Sequence, residues 1–422
     1  ALGDLPLALE QAGAYIDEAA TSLADYLTLF QERRADLWGE EHSPEDYSET
    51  IATTWEVSLQ KLSPEALGLM NLCAFLAPED ISLELLTGGV EHLPENLASA
   101  VSDSLVMRRV IRDLRRYSLI EGTTTEWSVH RLVQAVVRDR LSEDERKKWV
   151  GVAVILLREV FQGDLLTDVE AWPACARMLS HALASVGHAE AVLVTGGDTS
   201  YLLDRVATYL QVRAEFDQAR LAFERALGIS EAAFGPEHPT VATHLNNLAR
   251  VLQDQGDLAG GKERFERALG IIEAVYGPEH PNVAIHLNNL ASVLRAQGDL
   301  AGAKERFERA LGIDEAAYGP EHPNVAIRLN NLASVLRAQG DLAGAKERFE
   351  RALGIDEAAY GPEHPNVAIR LNNLANVLQD QGDLAGAKEK FERSYEMFKQ
   401  FLGEDHPSTA TARRNLESLS SG

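Results

Sequence analysis

Apolar residues in the second half of the chain recur three and four positions apart, the spacing of a helix rather than a strand. Within 283–297, Val283, Leu287, Leu290, Ala291 and Leu294 share one helical face, and Gly298 and Asp299 break the pattern. A second segment, 300–318, places Leu300, Ala303, Phe307, Ala310, Leu311 and Ala317 on one face and stops at Gly319 and Pro320. Gly relieves left-handed strain at a helix C terminus, and Pro cannot continue the hydrogen-bond ladder. The pair recurs every 42 residues: 282–323 and 324–365 differ only in that His286 becomes Arg328, and 240–281 and 366–407 keep the same frame. A more divergent unit, 200–239, precedes them and 408–419 starts a further copy, so five units plus one closing helix are predicted. Two antiparallel helices cannot bury their apolar faces alone, whereas stacked copies can. The expected fold class is mainly α, with a right-handed αα-superhelix over 200–422.

The same spacing says which residues would face a ligand. If Leu287, Leu290 and Ala291 turn toward neighbouring helices, then Ile285, Asn288, Ser292 and Arg295 lie on the opposite stripe, lining the groove. Equivalent positions form an asparagine row of Asn246, Asn288, Asn330 and Asn372. Arg250, Ser292, Ser334 and Asn376 form the next row, with Gln253, Arg295, Arg337 and Gln379 beyond it. Amides donate to and accept from an extended backbone, and arginines favour carboxylates, so the stripe suits a protein or an extended, somewhat acidic peptide. The competing reading is that these asparagines only bond neighbouring repeats.

The first half carries shorter and more varied segments. Residues 1–38 suggest two helices, one with Leu5, Leu7, Ala8, Ala12, Tyr15 and Ile16 behind an Asp4 cap, the other with Leu23, Tyr26, Leu27 and Phe30. Helical patterns follow over 51–61, 64–76, 81–86 and 101–116, the last rich in arginine on its polar side. Residues 118–121 and 126–129 then read as strands around Gly122, and 131–141 as a helix. Further helices are expected over 143–161 and 172–186, with a hinge at 193–199, where paired glycines ease bending.

Composition narrows the class. With 422 residues, 45% of them apolar and 25% charged, disordered, collagenous and low-complexity chains are excluded. The length exceeds what one core usually serves. Cys73 and Cys175 stand far apart without a CxxC, so neither a disulfide framework nor a zinc cluster can be built. No run approaches the roughly 18 apolar residues that span a bilayer, and Ala1 opens on no basic-then-apolar leader. The chain therefore reads as cytoplasmic, without a membrane partner, and as a piece of something longer. Net charge is −25, and the residues before Ser200 hold 16 basic against 33 acidic side chains, a net of −17. That excess repels phosphate backbones and anionic lipid, which disfavours nucleic acid despite the basic face of Arg108, Arg109, Arg112, Arg115 and Arg116.

Two motif matches carry no chemistry. Residues 256–262 (GDLAGGK) fit the phosphate-loop spacing, but Glu263 stands where Ser or Thr should hold magnesium, and the segment joins two helices instead of following a strand. His238, His280, His322, His364 and His406 occur once per loop, too sparsely for a metal site, and suit loop-to-helix packing. No metal site, no nucleophile with an adjacent base and no paired carboxylates emerge, so the chain is expected not to be an enzyme.

Leu287, Leu290, Ala291, Leu294, Gly298, Ala303, Phe307 and Ala310 fall where the tetratricopeptide repeat keeps its packing residues. A 42-residue unit carrying LNNLA and G-x-x-H-P resembles the kinesin-light-chain subfamily of these repeats. In the first half, helices closed by a hairpin look like a winged helix. Residues 2–9 (LGDLPLAL) resemble the G-L-P-L-A segment of the bacterial signal-transducing STAND ATPases of the NB-ARC type, and 129–132 (VHRL) lies where that family keeps M-H-D. Asp4 interrupts the first motif, and Val129 and Arg131 depart from the second.

This resemblance implies a domain order of 1–45 as the end of an ATPase helical subdomain, 46–149 as the winged helix, 150–199 as a helical connector and 200–422 as the repeat array. It also implies that Pro6 packs near the adenine and His130 touches the β-phosphate of ADP in the parent protein. No phosphate loop lies in this chain, so no cofactor is expected here, and ADP or ATP with Mg²⁺ would belong to the parent's own upstream ATPase module. The implied function is a sensor that binds protein or peptide in the groove and relays the event through the winged helix to that module. The alternatives are a constitutive tetratricopeptide scaffold and a DNA-binding regulator. Oligomerisation stays open.

Overall fold

The structure, a computed structural model, describes residues 6–38, 54–165, 168–194, 196–404 and 406–420. The chain divides into two compact units, Ala1–Gly235 and Pro236–Gly422.

The first unit contains helices α1 (Pro6–Ala19), α2 (Leu23–Trp38), α3 (Pro64–Cys73), α4 (Leu83–Gly88), α5 (Glu95–Ser102), α6 (Ser104–Arg116), α7 (Arg131–Arg140), α8 (Glu143–Val160), α9 (Trp172–Ala191), α10 (Gly197–Val212) and α11 (Phe216–Phe234). Strands β1 (Ile81–Ser82), β2 (Glu121–Gly122) and β3 (Glu126–Ser128) form an antiparallel sheet in the order β1-β3-β2. Its register pairs Ile81 with Trp127 and Glu121 with Ser128. Gly122 (φ 126°) is required at the turn, because a Cβ would lie 2.5 Å from Glu126 O. The end of α3 anchors this unit. A helix cannot satisfy its own last carbonyls, and side chains of α7 and α9 do so instead. Gln134 donates to Cys73 O (2.7 Å) and Leu76 O (3.1 Å), Arg138 to Ala74 O, and Ser185 to Phe75 O (2.8 Å).

Three local expectations are corrected. Of the strand read over 118–121 only Glu121 lies in β2, because the chain turns through left-handed Ser118 (φ 50°) before it reaches the sheet. The helix read over 81–86 begins only at Leu83, because buried Ile81 pairs in the sheet and extended Ser82 caps α4 by accepting the Leu85 N–H. The helix read over 101–116 is two helices. Asp103 is extended (φ −110°, ψ 106°) and accepts the N–H groups of Leu105 and Val106, which starts α6 afresh.

The second unit is four helix pairs and a further helix: α12 (Pro239–Asp254), α13 (Leu258–Tyr276), α14 (Pro281–Ala296), α15 (Leu300–Tyr318), α16 (Pro323–Ala338), α17 (Leu342–Tyr360), α18 (Pro365–Asp380), α19 (Leu384–Leu402) and α20 (Pro407–Ser420). Every first helix starts on a His-Pro step. The imidazole Nδ1 of His280 accepts the Asn282 N–H at 3.1 Å, and His238, His322, His364 and His406 do the same in their copies. Tyr276, Tyr318 and Tyr360 stack on His280, His322 and His364 with centroids 4.5–4.8 Å apart. The second helices start on Asp257, Asp299, Asp341 and Asp383, each accepting the backbone N–H three residues on. The 256–262 segment is thus a capped helix–helix turn, with Lys262 paired to Glu266 at 3.7 Å.

Phe265, Phe307, Phe349 and Phe391 are fully buried and lie in one core that continues from Ala249 to Phe391. Each buried phenylalanine stabilises the stack by roughly 1.5–3 kcal/mol. At α20 the pattern changes: exposed Arg413 and Glu417 stand where α18 has buried Leu371 and Ala375, giving this helix a polar flank.

One polar contact varies between otherwise matching repeats. Arg328 Nε meets Asp314 Oδ2 at 2.8 Å and Arg370 Nε meets Asp356 Oδ2 at 2.9 Å, both pairs almost wholly buried. One repeat earlier, Ile272 occupies the aspartate position and His286 the arginine position. The sole difference between 282–323 and 324–365 therefore follows its partner: without a carboxylate, the site holds a neutral imidazole. Burial pushes His286 down to about 4, and its Nδ1 lacks a hydrogen-bond partner. Above the ordinary histidine pKa neither state is protonated, so nothing is lost there. As pH falls toward 4 the unfolded chain takes up the proton first and stability declines. Urea melts should show that Ile272→Asp with His286→Arg reduces the stability lost between pH 7 and pH 5 by about 2 kcal/mol. An unchanged loss would mean that His286 is not held neutral.

Candidate protein-binding surface

The residues expected to line a groove lie on the first helices α12, α14, α16 and α18 of the second unit. The asparagine row is internally bonded. Asn289 Nδ2 donates to Asn246 Oδ1, Asn331 to Asn288 and Asn373 to Asn330, all at 2.8 Å, and Asn415 to Asn372 at 3.0 Å. Within repeats, Asn288 Nδ2 reaches Asn289 Oδ1 and Asn330 Nδ2 reaches Asn331 Oδ1, both at 3.3 Å, and Asn246 reaches Asn247 at 3.5 Å. The result is a relay of amides from Asn373 to Asn247, each repeat joined to the next. The side chains that complete it, Asn289, Asn331 and Asn373, were not singled out from sequence, although the doubled asparagine of LNNLA was the available signal. An amide has two N–H donors and two acceptor sites, so the relay leaves spare capacity on half-buried Asn246, Asn288 and Asn372, while Asn330 is buried.

The neighbouring rows are also partly engaged. Ser292 and Ser334 donate to the carbonyls of Asn288 (3.0 Å) and Asn330 (2.9 Å), and Asn376 Nδ2 donates to Asn372 O at 2.8 Å. Arg250 is half-buried. Arg337 Nε binds Asp380 Oδ2 of the next repeat at 2.5 Å. Ala338 occupies the position equivalent to Asp380 one repeat earlier, and Arg295 is exposed with no ion pair among the described residues. Beside the amides runs an apolar row: Ile285, Ile327 and Ile369 are 49%, 42% and 40% exposed. This face offers isoleucine and amide at a fixed interval and, at Arg295, a guanidinium without an ion pair among the described residues, and can combine apolar contact, backbone hydrogen bonding and carboxylate pairing along an extended chain.

In the first unit, exposed His130 caps α7, its Nδ1 accepting the Leu132 N–H at 3.2 Å. It lines a concavity of about 420 Å³ with Pro78, Glu79, Glu121, Ser128 and Arg131. Pro6 opens α1, but its side chain and residues 1–5 lie outside the described residues. Among the described residues no helix is long and apolar enough to cross a membrane, and no three His, Cys, Asp or Glu side chains gather as a metal site would require.

Stacked, near-identical antiparallel helix pairs with a shared core define an αα-repeat protein. The chain belongs to the tetratricopeptide repeat family, whose model matches residues 198–260, 241–316, 283–358, 329–400 and 367–419. A second model, described as a domain of unknown function (DUF7779), matches residues 57–146. Among solved structures, the chain is similar to the nearly identical TPR-like repeats of a kinesin-light-chain candidate from Podosopora anserina. That match is 24% identical and covers 47% of this chain and 95% of the other, with a TM-score of 0.42. It is also similar to BtubC (BKLC) from P. vanneervenii, 23% identical over 56% of this chain and 94% of the other, with a TM-score of 0.47. No curated protein matches the chain.

Asn331 has two bonds of the relay, so Asn331→Ala should cost about 1–3 kcal/mol in urea melts, whereas Arg295→Ala should change stability by less than about 0.5 kcal/mol. Equal effects would mean that the relay contributes nothing to stacking.

Proposed function

We propose that this chain is a protein-interaction scaffold whose first-helix face grips an extended polypeptide segment. The observation that carries the reading is the exposed row Ile285, Ile327 and Ile369, which repeats in register with the amide relay. Adjacent helices pack about 8–10 Å apart, and an extended chain advances about 3.3 Å per residue, so every third side chain of a bound segment would meet one repeat. The apolar row supplies most of the burial, Arg295 favours an acidic side chain toward one edge, and spare amide valences bind the segment's backbone.

A second reading rests on His130 and its concavity in the first unit. Here α5, α6 and the β2–β3 hairpin act as a winged helix in a cytoplasmic STAND ATPase of the NB-ARC type, and groove binding is relayed to a nucleotide site. His130 Nε2 and Arg131 could touch a phosphate edge, but Glu79 and Glu121 also line the concavity, so these residues do not form a phosphate cradle. In that reading ADP or ATP with Mg²⁺ would be held by residues outside this chain.

Peptides selected from an unbiased library against the chain separate the scaffold reading from its failure. They should carry apolar residues at intervals of three and lose about tenfold or more in affinity against Ile285→Asp with Ile327→Asp, since one buried isoleucine contributes roughly 1.5–3 kcal/mol. Peptides that bind both proteins equally would refute the assignment of this face.

A further inference from the structure

Helix α6 carries five arginines within nine residues, Arg108, Arg109, Arg112, Arg115 and Arg116, all exposed. Arg112 has like-charged neighbours three or four positions away at 108, 109, 115 and 116, an arrangement that destabilises an isolated helix. The first unit does not lack carboxylates to offset this. Elsewhere in it Arg140 meets Glu56, Arg158 meets Asp198, Arg177 meets Glu84 and Arg225 meets Glu190. On α6 the pairing is thin: Arg112 approaches Asp113 at 3.4 Å and Arg116 approaches Glu18 and Asp113. Arg108, Arg109 and Arg115 pair with no carboxylate among the described residues.

These side chains surround a depression. Arg108, Arg112, Arg115 and Arg116, with Ile111 and Thr124 of the hairpin turn, line a concavity of about 440 Å³. A guanidinium presents its donors in a planar fork that matches phosphate oxygens two at a time, and several forks on one hollow can hold more than one phosphoryl group. Thr124 can add a hydroxyl donor. We propose that this concavity binds a compact polyphosphate, the chemistry shared by inorganic tripolyphosphate and the tail of a nucleoside triphosphate.

The surroundings choose the compact ligand over a nucleic acid. Glu121 and Glu126 are exposed on the hairpin, Glu18 and Asp113 flank the helix, and the residues before Ser200 carry a net −17. A long polyanion would meet those acids beyond the hollow, whereas a short one is bound at contact distance while more remote charges are screened within about 8–10 Å. The hollow is lined only by residues of the first unit and draws on none of the repeat face.

Titration calorimetry of the full chain with inorganic tripolyphosphate, ATP and a short DNA duplex tests the proposal. Saturable one-site binding of tripolyphosphate is expected, weakened about tenfold or more by Arg108→Ala with Arg115→Ala, the loss expected for charge-assisted hydrogen bonds. Arg108→Lys with Arg115→Lys keeps the charge and should still weaken binding, because the forks are gone, while Arg264→Ala should leave it unchanged. Equal affinity for ATP would identify the phosphate chain as the recognised group, and tighter ATP binding would identify the nucleotide as its source. Binding that ignores both double variants would overturn the site, as would no binding at all. A duplex that outcompetes tripolyphosphate with a steep salt dependence would replace it with a nucleic-acid surface.

Discussion

A two-helix unit of this sequence has more apolar surface than it can hide by itself, and the second unit is organised around that shortage. Phe307 and Ala303 cannot leave water within their own pair, so the core runs on through Leu332, Phe349 and Leu374 into later copies. Stacking then imposes its own requirement, because amides brought together at the helix–helix seam must find partners. The relay of asparagines answers it and joins each first helix to the next. Rows of equivalent side chains on one face are a consequence of the stacking, and the binding surface proposed for this protein consists of those rows.

Near-identity makes the exceptions informative. The change from His286 to Arg328 alone distinguishes 282–323 from 324–365, and it tracks the change from Ile272 to Asp314 across the buried contact. A buried guanidinium is tolerated only where its carboxylate is present; where it is not, the imidazole stays neutral. Arg337 and Arg295 make the same point at the surface, since Asp380 engages one and Ala338 leaves the other without an ion pair among the described residues. Chemically equal repeats thus acquire unequal edges from their neighbours.

Much of the array was legible in the sequence, because helix spacing, glycine stops and the 42-residue period recur until chance is excluded, whereas the histidine and aspartate caps that start the helices emerged only from the structure. The helix over 300–318 was read with the bounds the structure has. The asparagines were read as a groove-lining row, with bonding to neighbouring repeats as the competing reading, and the amides do bond the next repeat; an amide donates and accepts equally well, so nothing in LNNLA says whether its partner is a ligand or the adjacent repeat. In the first unit β1 escaped notice because two residues have no periodicity, and its pairing with β3 is decided by a segment more than forty residues away. The break between α5 and α6 hinged on Asp103 acting as a cap instead of a helical residue.

The claim beneath all of this is that stability resides between repeats and not within them. Deleting 282–323 from the chain and following urea unfolding tests it directly, since the frame on either side is preserved. The account predicts a lower midpoint together with a smaller dependence on urea, as one repeat and one interface are lost. A midpoint equal to that of the parent chain would show that each pair holds itself together, and would contradict the account.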